Sequence, residues 1–352
     1  MRASHSSPSP SSPSSTAAAT AAVRAAGVHA AGAALGFLAD AVLGDPRRGH
    51  PVALFGRAAA AAERPLWRDS RAAGAAYTAA LAGGTVAAAH LAARIAGATG
   101  ARPGLPCAGV ALGAAVTWSV LGGSSLVREA RLIGAALEDG DVEAARRRLP
   151  HLCGRDPQAL DADGIARAVV ESVAENTSDA VVGALVWGAV AGVPGMAGFR
   201  AVNTLDAMVG HRSPRYLRFG WASARLDDVA GRPGARLTAV LATLAGPDPR
   251  GALRAWRRDA HRHPSPNAGP VESSFAGALG VRLGGTLSYG GRTEHRPVLN
   301  GEGRRVEAAD VERAARLSRR VGVLALAVTT AGRLAASAAG RAAAASRGKG
   351  TV

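Results

Sequence analysis

Residues 72–93 read AAGAAYTAALAGGTVAAAHLAA and residues 103–127 read PGLPCAGVALGAAVTWSVLGGSSLV; neither stretch holds a formally charged side chain. A helix needs about 20 apolar residues to cross the hydrocarbon of a bilayer, so both are long enough to span it. Their Ala and Gly partition into lipid more weakly than Leu, Ile or Phe, but small residues let lipid-embedded helices approach closely. A third stretch, Ala180–Phe199, is borderline, and a fourth, Val321–Gly340, is interrupted by Arg333, which could snorkel only from a nearby helix end. The competing reading of all four is a set of buried helices in a large soluble protein.

Between these stretches the pattern stays helical. Ser124–Leu137 and Val142–Leu149 carry apolar residues at three- and four-residue spacing, with Arg and Glu on the other face. Two-residue alternation is nearly absent, and no internal repeat is visible. Pro/Gly clusters at 231–234, 246–249 and 263–270 predict loops, and Glu272 opens a small-residue helix expected to end near Gly284-Gly285. The expected fold class is all-α: a polytopic helical membrane protein with long helical cytoplasmic loops. A single membrane-embedded catalytic domain is expected over residues 27–340. Residues 1–26, a Ser/Pro/Ala tail without a continuous apolar run, read as disordered and not as a cleaved signal, and residues 341–352 as a basic flexible tail.

The formal charge of +16 is carried by arginine, since Lys349 is the sole lysine. Such a balance admits nucleic acid, anionic lipid or a phosphate-bearing substrate as partner. Aromatic residues are scarce, the arginines are dispersed, and no zinc-finger or RNP-like signature occurs, which argues against nucleic acid. Cys107 and Cys153 are too few for a disulfide framework or a structural zinc site and read as ordinary buried thiols.

Acids are sparse in this Ala/Gly/Arg-rich chain, so their grouping carries weight. Glu171, Glu175 and Asp179 follow at four-residue spacing and form one stripe on a helix, with Asn176 beside it. No Lys or Arg intervenes, so a divalent cation or a basic substrate group is expected to neutralise the stripe; a solvated acidic face is the alternative. Asn203 and Asp206 lie three apart on a predicted helix, and Asp227-Asp228 follow Arg225 beyond a loop holding His211, Arg212, Arg215 and Arg218. Carboxylates and amides suit Mg²⁺, and guanidinium groups suit phosphate oxygens, an inventory fit for phosphoryl chemistry. There is no Walker-type glycine loop and no dinucleotide fingerprint, and the arginine loop alone also fits the cytoplasmic side of a bilayer. Asp45-Pro46 and His50-Pro51 mark a turn that could expose an acid and an imidazole, and Ser265-Pro266-Asn267-Ala268-Gly269 could present an amide and backbone N–H groups to an anion.

Taken in order, these segments resemble the cobinamide-phosphate synthases of cobalamin biosynthesis, the CobD/CbiB family. The resemblance runs through Asp40–Pro46 with His50-Pro51, Glu171–Asp179, Asn203–Gly210, Phe219-Gly220 with Ala224–Asp228, Ala235–Leu237, Ser265–Gly269 and Gly277–Gly285, covering about residues 30 to 330. Any one motif is weak, but their shared order and spacing are specific. Ala180, Ala184, Ala207, His211 and Gly234 depart from the family pattern without removing a charge.

The resemblance implies an integral membrane enzyme that joins the propionate of adenosylcobyric acid to aminopropanol or its phosphate as an amide, consuming ATP. A carboxylate must acquire a leaving group before an amine can displace it, and phosphorylation is the usual route, with Mg²⁺ and cationic clamps. On this reading Glu171, Glu175, Asp227 and Asp228 are catalytic, and the same four with Asp179 hold the metal. Asp45, His50, Asn176, Asn203, Asp206, Arg225, Arg236, Ser265, Asn267 and Gly269 bind substrate or phosphate. The expected setting is the cytoplasmic membrane, multi-pass and in contact with lipid, with the site facing the cytoplasm and other cobalamin-biosynthesis enzymes as possible partners. A transporter or membrane scaffold is the alternative, although it should show paired, similar halves; a soluble helical ligase is the third reading.

Topology adds a constraint. If Ala72–Ala93, Pro103–Val127 and Ala180–Phe199 all crossed, the Glu171–Asp179 stripe and Asp227-Asp228 would face opposite sides. Ala180–Phe199 is therefore expected to enter and return, breaking at Gly192-Val193-Pro194-Gly195.

Overall fold

The computed structural model describes residues 15–45, 49–97, 106–289 and 292–349. The ends of both expected tails, 1–14 and 350–352, and residues 103–105 of the second charge-free stretch lie outside the described residues. The helices are α1 Ser15–Leu43, α2 Pro51–Leu66, α3 Arg71–Ile95, α4 Pro106–Val120, α5 Gly123–Glu138, α6 Val142–Arg148, α7 Ala162–Thr177, α8 Gly183–Leu205, α9 Trp221–Ala245, α10 Pro249–Asp259, α11 Ala268–Leu279 and α12 Ala308–Lys349. An antiparallel hairpin, β1 Leu283–Tyr289 with β2 Arg292–Leu299, separates α11 from α12.

Among the described residues, five helical stretches are long and apolar enough to cross a membrane: Ala17–Leu43, Arg71–Ile95, Pro106–Glu138, Ala162–Gly210 and Ala308–Ser346. The all-α, polytopic expectation therefore holds, and α3 coincides with the first charge-free stretch. Glycine sets how closely the helices meet. A Cβ on Gly32 of α1 would lie 3.0 Å from Gly113 Cα of α4, and one on Gly36 would lie 2.5 Å from Thr117 Cβ. This small-xxx-small face replaces side-chain interdigitation with backbone contact.

Several local expectations fail for identifiable reasons. α1 begins at Ser15, inside the segment read as disordered, and Ala26 is fully buried. α12 likewise runs through the expected basic tail to Lys349. The second charge-free stretch is not one rod: α4 stops at Val120, α5 starts at Gly123, and the Gly122 N–H donates to Ala180 O at 3.2 Å. Residues 231–234 lie within α9, not in a loop. Pro233 removes one ladder hydrogen bond, but Gly231 and Gly234 admit Asn267 and the Gly183 backbone so closely that packing holds the helix together. α11 ends early at Gly280, which takes the left-handed conformation (φ 70°), so Gly284-Gly285 belongs to the hairpin that alternation did not announce. Cys107 is exposed and Cys153 half-buried.

The turn that organises the molecule lies inside α8. Gly192 has φ 66° and ψ −150°, which interrupts the helix just ahead of Pro194. An unbroken helix would place residues 183 and 199 about 24 Å apart at 1.5 Å per residue. Instead the Phe199 ring lies directly against Gly183, and Met196 Cε sits 2.5 Å from the position of a Cβ on Gly188. Residues 183–191 and 193–205 are therefore antiparallel arms, in agreement with an entering-and-returning segment. The break frees carbonyls, and α12 supplies their donor: Arg333 Nη1 donates to Gly188 O at 3.1 Å and Ala189 O at 2.6 Å. Arg333 turns inward to this break and does not need a helix end through which to snorkel.

Candidate active site

Each end of the reversed segment carries a π-helical turn, Ser178–Val182 before the first arm and Asp206–Gly210 after the second. Such turns insert an extra residue into the helical ladder and recur at functional sites. Asp179 lies in one and Asp206 opens the other. Because the arms are antiparallel, both turns fall at the same end of the hairpin.

The second turn of α9 brings Asp227 and Asp228 to this end. Asn203 Nδ2 donates to Asp227 Oδ1 at 3.4 Å, and Arg225 Nη1 lies 3.3 Å from Asp228 Oδ2. Asp206, Asp228 and Glu175 all act electrostatically on Asp227, and Asp179 lies within reach of Glu175, Asp227 and Asp206. Glu175, Asp179, Asp206, Asp227 and Asp228 thus form one group. Glu175 is exposed and the other four are half-buried, so solvent reaches the group. Burial first, then the Asp206 carboxylate, pushes Asp227 up to about 7; the Asn203 hydrogen bond opposes this, while Asp228 and Glu175 add to it.

Glu171 stands apart from that group. It pairs with Arg155, both side chains being about 4% exposed, and its Oε1 accepts from the Gly284 N–H at 2.7 Å. Glu272 joins it from α11, a helix buried along its whole length, with His263 Nε2 at 3.8 Å. Burial, reinforced by Glu171 and Glu175, raises Glu272 well above the usual carboxylate range against the pull of Arg296 and Arg155. The stripe on α7 is therefore shared out: Glu171 faces an arginine-lined interior, Asp179 faces the open group, and Glu175 stands between them. The cations missing from the Glu171–Asp179 stripe come in part from distant segments, Arg155 after α6, Arg200 on α8 and Arg296 on β2.

The other expected residues divide between the site and its supports. Arg200 interacts electrostatically with both Asp179 and Asp45 and donates to Asn203 Oδ1 at 3.5 Å, which links Asp45 to the acids. Asp45 Oδ1 is buried without a hydrogen-bond partner among the described residues. Arg225 is exposed beside Asp228 and open to a ligand. Arg236, in contrast, donates to Pro266 O at 2.7 Å, and Asn267 Nδ2 donates to Asp228 O at 3.1 Å. Ser265 Oγ accepts from the Ala268 N–H at 3.1 Å, and Gly269 packs beneath Ala260 and His263. The Ser265–Gly269 segment therefore braces α9 behind the aspartates. His50 caps α2, accepting from the Val52 N–H at 3.2 Å, and Asn176 donates to Ser172 O at 2.9 Å.

Sequence reasoning missed Arg155, Arg200, Arg296, His263 and Glu272 as members of these groups. Only Glu272 carried a signal, as a lone acid among small and apolar residues. For a cation, the open group offers an all-oxygen donor set of the kind Mg²⁺ takes. Among the described residues no three His, Cys, Asp or Glu side chains stand at ligand spacing, so a metal would have to draw the carboxylates inward.

The profile of the CobD/Cbib protein family matches residues 33–318. The chain is 56% identical over 300 residues to a protein of Mycobacterium tuberculosis (strain CDC 1551 / Oshkosh) named cobalamin biosynthesis protein CobD, covering 84% of this chain and 93% of that one. A protein of the same name from Chromobacterium violaceum is 42% identical over 296 residues, covering 81% and 91%. Another from Rhodobacter capsulatus is 46% identical over 212 residues, covering 60% and 68%. No solved structure matches significantly.

Proposed function

The chain belongs to the CobD/Cbib protein family, and from that premise and the geometry above we propose that it forms the amide between the propionate of adenosylcobyric acid and aminopropanol or its O-phosphate. It is a biosynthetic enzyme of cobalamin synthesis and a multi-pass membrane protein. The observation that carries the finer reading is the meeting of Glu175, Asp179, Asp206, Asp227 and Asp228 from three chain segments at one solvent-reached end of the hairpin.

A carboxylate is inert to an amine until one oxygen becomes a leaving group; ATP with Mg²⁺ supplies that activation and shields the phosphate charge. Asp179, Asp206, Asp228 and Glu175 are the side chains that would hold the cation. Arg225, exposed beside Asp228, is the guanidinium that would take a phosphate oxygen. The amine arrives as an ammonium and must lose a proton before it attacks. Asp227, its Oδ1 held by Asn203, is the carboxylate that would take that proton. Glu171, bound by Arg155 and Gly284, is a positioning residue that fixes α7.

The test is corrinoid amidation by the purified full-length chain in lipid, with aminopropanol and its phosphate supplied in parallel. Amide product with matching ATP consumption from either amine is expected. No product from either, with ATP and Mg²⁺ present and a folded protein, would overturn the reading.

A further inference from the structure

Away from the acids, α1, α5 and α12 enclose a cavity of about 460 Å³. Its floor is apolar, with Phe37, Val127, Leu132 and Val323 among its lining residues, and its rim carries Arg128, Arg131 and Arg319. Arg131 is spent on Glu312, donating from Nε at 2.7 Å and Nη2 at 3.0 Å. Among the described residues, Arg128 and Arg319 form no hydrogen bond and no ion pair within 4.0 Å. The acid inside, Asp40, is occupied by the Ser124 N–H at 3.1 Å and Ser124 Oγ at 2.9 Å.

The level of the cavity in the fold decides what it takes. On α12 the charged run ends at Arg320 and the charge-free run starts at Val321; on α1 the run without formal charge ends at Asp40. The cavity straddles both points, where apolar spans give way to a charged surface. Leu38 (58%), Val42 (72%) and Val323 (55%) are exposed around it, as side chains facing hydrocarbon would be. Basic pockets between membrane helices at this depth suit lipid headgroups.

We propose that this cavity is a site for an anionic glycerophospholipid, with its phosphate on Arg128 and Arg319 and an acyl chain along Phe37 and Val323. Val181, in the π turn that holds Asp179, forms part of the wall. The lining residue Ser318 accepts from Thr177 Oγ1 at 2.6 Å. Occupancy therefore bears on the segment that carries the acids, while binding itself does not depend on which reaction they perform.

The experiment is native mass spectrometry of the full-length protein released from bilayers of phosphatidylcholine mixed with phosphatidylglycerol. Phosphatidylglycerol should be retained selectively. Arg128→Gln/Arg319→Gln should weaken retention about thirtyfold, each arginine near a membrane surface being worth about fivefold. Gly322→Leu, whose Cβ would already lie 3.5 Å from Val181 Cγ1, should fill the floor and reduce retention with the rim arginines intact. Glycerol phosphate should not displace the lipid. In the unsubstituted protein, a photoactivatable phosphatidylglycerol should crosslink to peptides around Phe37 and Val323. Equal retention of phosphatidylcholine, undiminished retention by the double variant, or crosslinks confined elsewhere would each overturn the site. Displacement by glycerol phosphate would make it a free phosphate-ester site instead.

Discussion

The Phe199 ring rests against Gly183. Residues so far apart along one helical segment can touch only because Gly192 reverses it, and that contact brings Asp179 and Asp206 to a common end. Phe199→Ala should cost about 3–5 kcal/mol, as truncation of a buried aromatic does. Gly183→Val should also destabilise, by about 1–3 kcal/mol, through overpacking. Denaturant unfolding in detergent reads both. In a variant lacking Cys107 and Cys153, single cysteines at Asn176 and Ser213 should label from the same side of sealed vesicles; labelling from opposite sides would contradict the hairpin.

Arg333 satisfies two carbonyls freed at the break. Arg333→Leu should leave Gly188 O and Ala189 O without a donor, at a cost of about 1–3 kcal/mol for each buried group. Arg333→Lys keeps a donor and should recover part of that loss. A melting temperature for Arg333→Leu equal to that of the unsubstituted protein would refute the capping role.

Asp227 is raised to about 7 by burial and by its carboxylate neighbours, so it is protonated below that pH and a base above it. Without Mg²⁺ the Asp227 carboxyl should titrate near 7 by carbon-13 NMR, and Mg²⁺ on its carboxylate neighbours should lower that value. Asn203→Ala removes a bond that favours the charged form and should move the metal-free titration to higher pH. The stability sign runs the other way from that of a salt-bridged carboxylate. The folded state holds the proton more tightly than the unfolded chain, so stability falls as pH rises from the ordinary aspartate range through about 7. Asp227→Asn should therefore lose activity yet raise the melting temperature above pH 7, with no gain in acid.

Asn267 occupies the space that a side chain on Gly231 would need. Gly231→Ala alone should destabilise α9 and lower activity by displacing Asn267 from the Asp227 and Asp228 carbonyls. Combined with Asn267→Ala, the same change should cost less than the sum of the two single variants. Strict additivity of the unfolding free energies would show that the two positions are uncoupled.

Asp206→Asn and Asp179→Asn each remove one carboxylate from the open group without emptying the core. Neither should lower the unfolding transition, since each relieves repulsion among the carboxylates, while both should raise the Mg²⁺ concentration for half-maximal activity about tenfold or more. Glu171→Gln, which faces Arg155, should instead lower stability without a selective change in that requirement. If all three shifted the requirement alike, Glu171 would belong to the same site.

The sequence by itself determined what depends on neighbours along the chain. The charge-free run of Ala72–Ala93 specifies α3, three- and four-residue apolar spacing specifies α5 and α6, and Gly192 with Pro194 specifies a break, because each sets local backbone geometry or transfer into lipid. It also isolated most of the acids, by their rarity. Tertiary structure decided which of them meet. Coulomb energy and desolvation depend on distance in space, and nothing local to Glu171 announces Arg155 or Gly284, just as nothing near Glu175 announces Arg296. The same reason explains α9, where Pro233 and its flanking glycines read as a loop. Locally they are helix breakers, but Gly183 and Asn267 press into the space those glycines leave, and the packing gained across the helix outweighs the hydrogen bond lost along it.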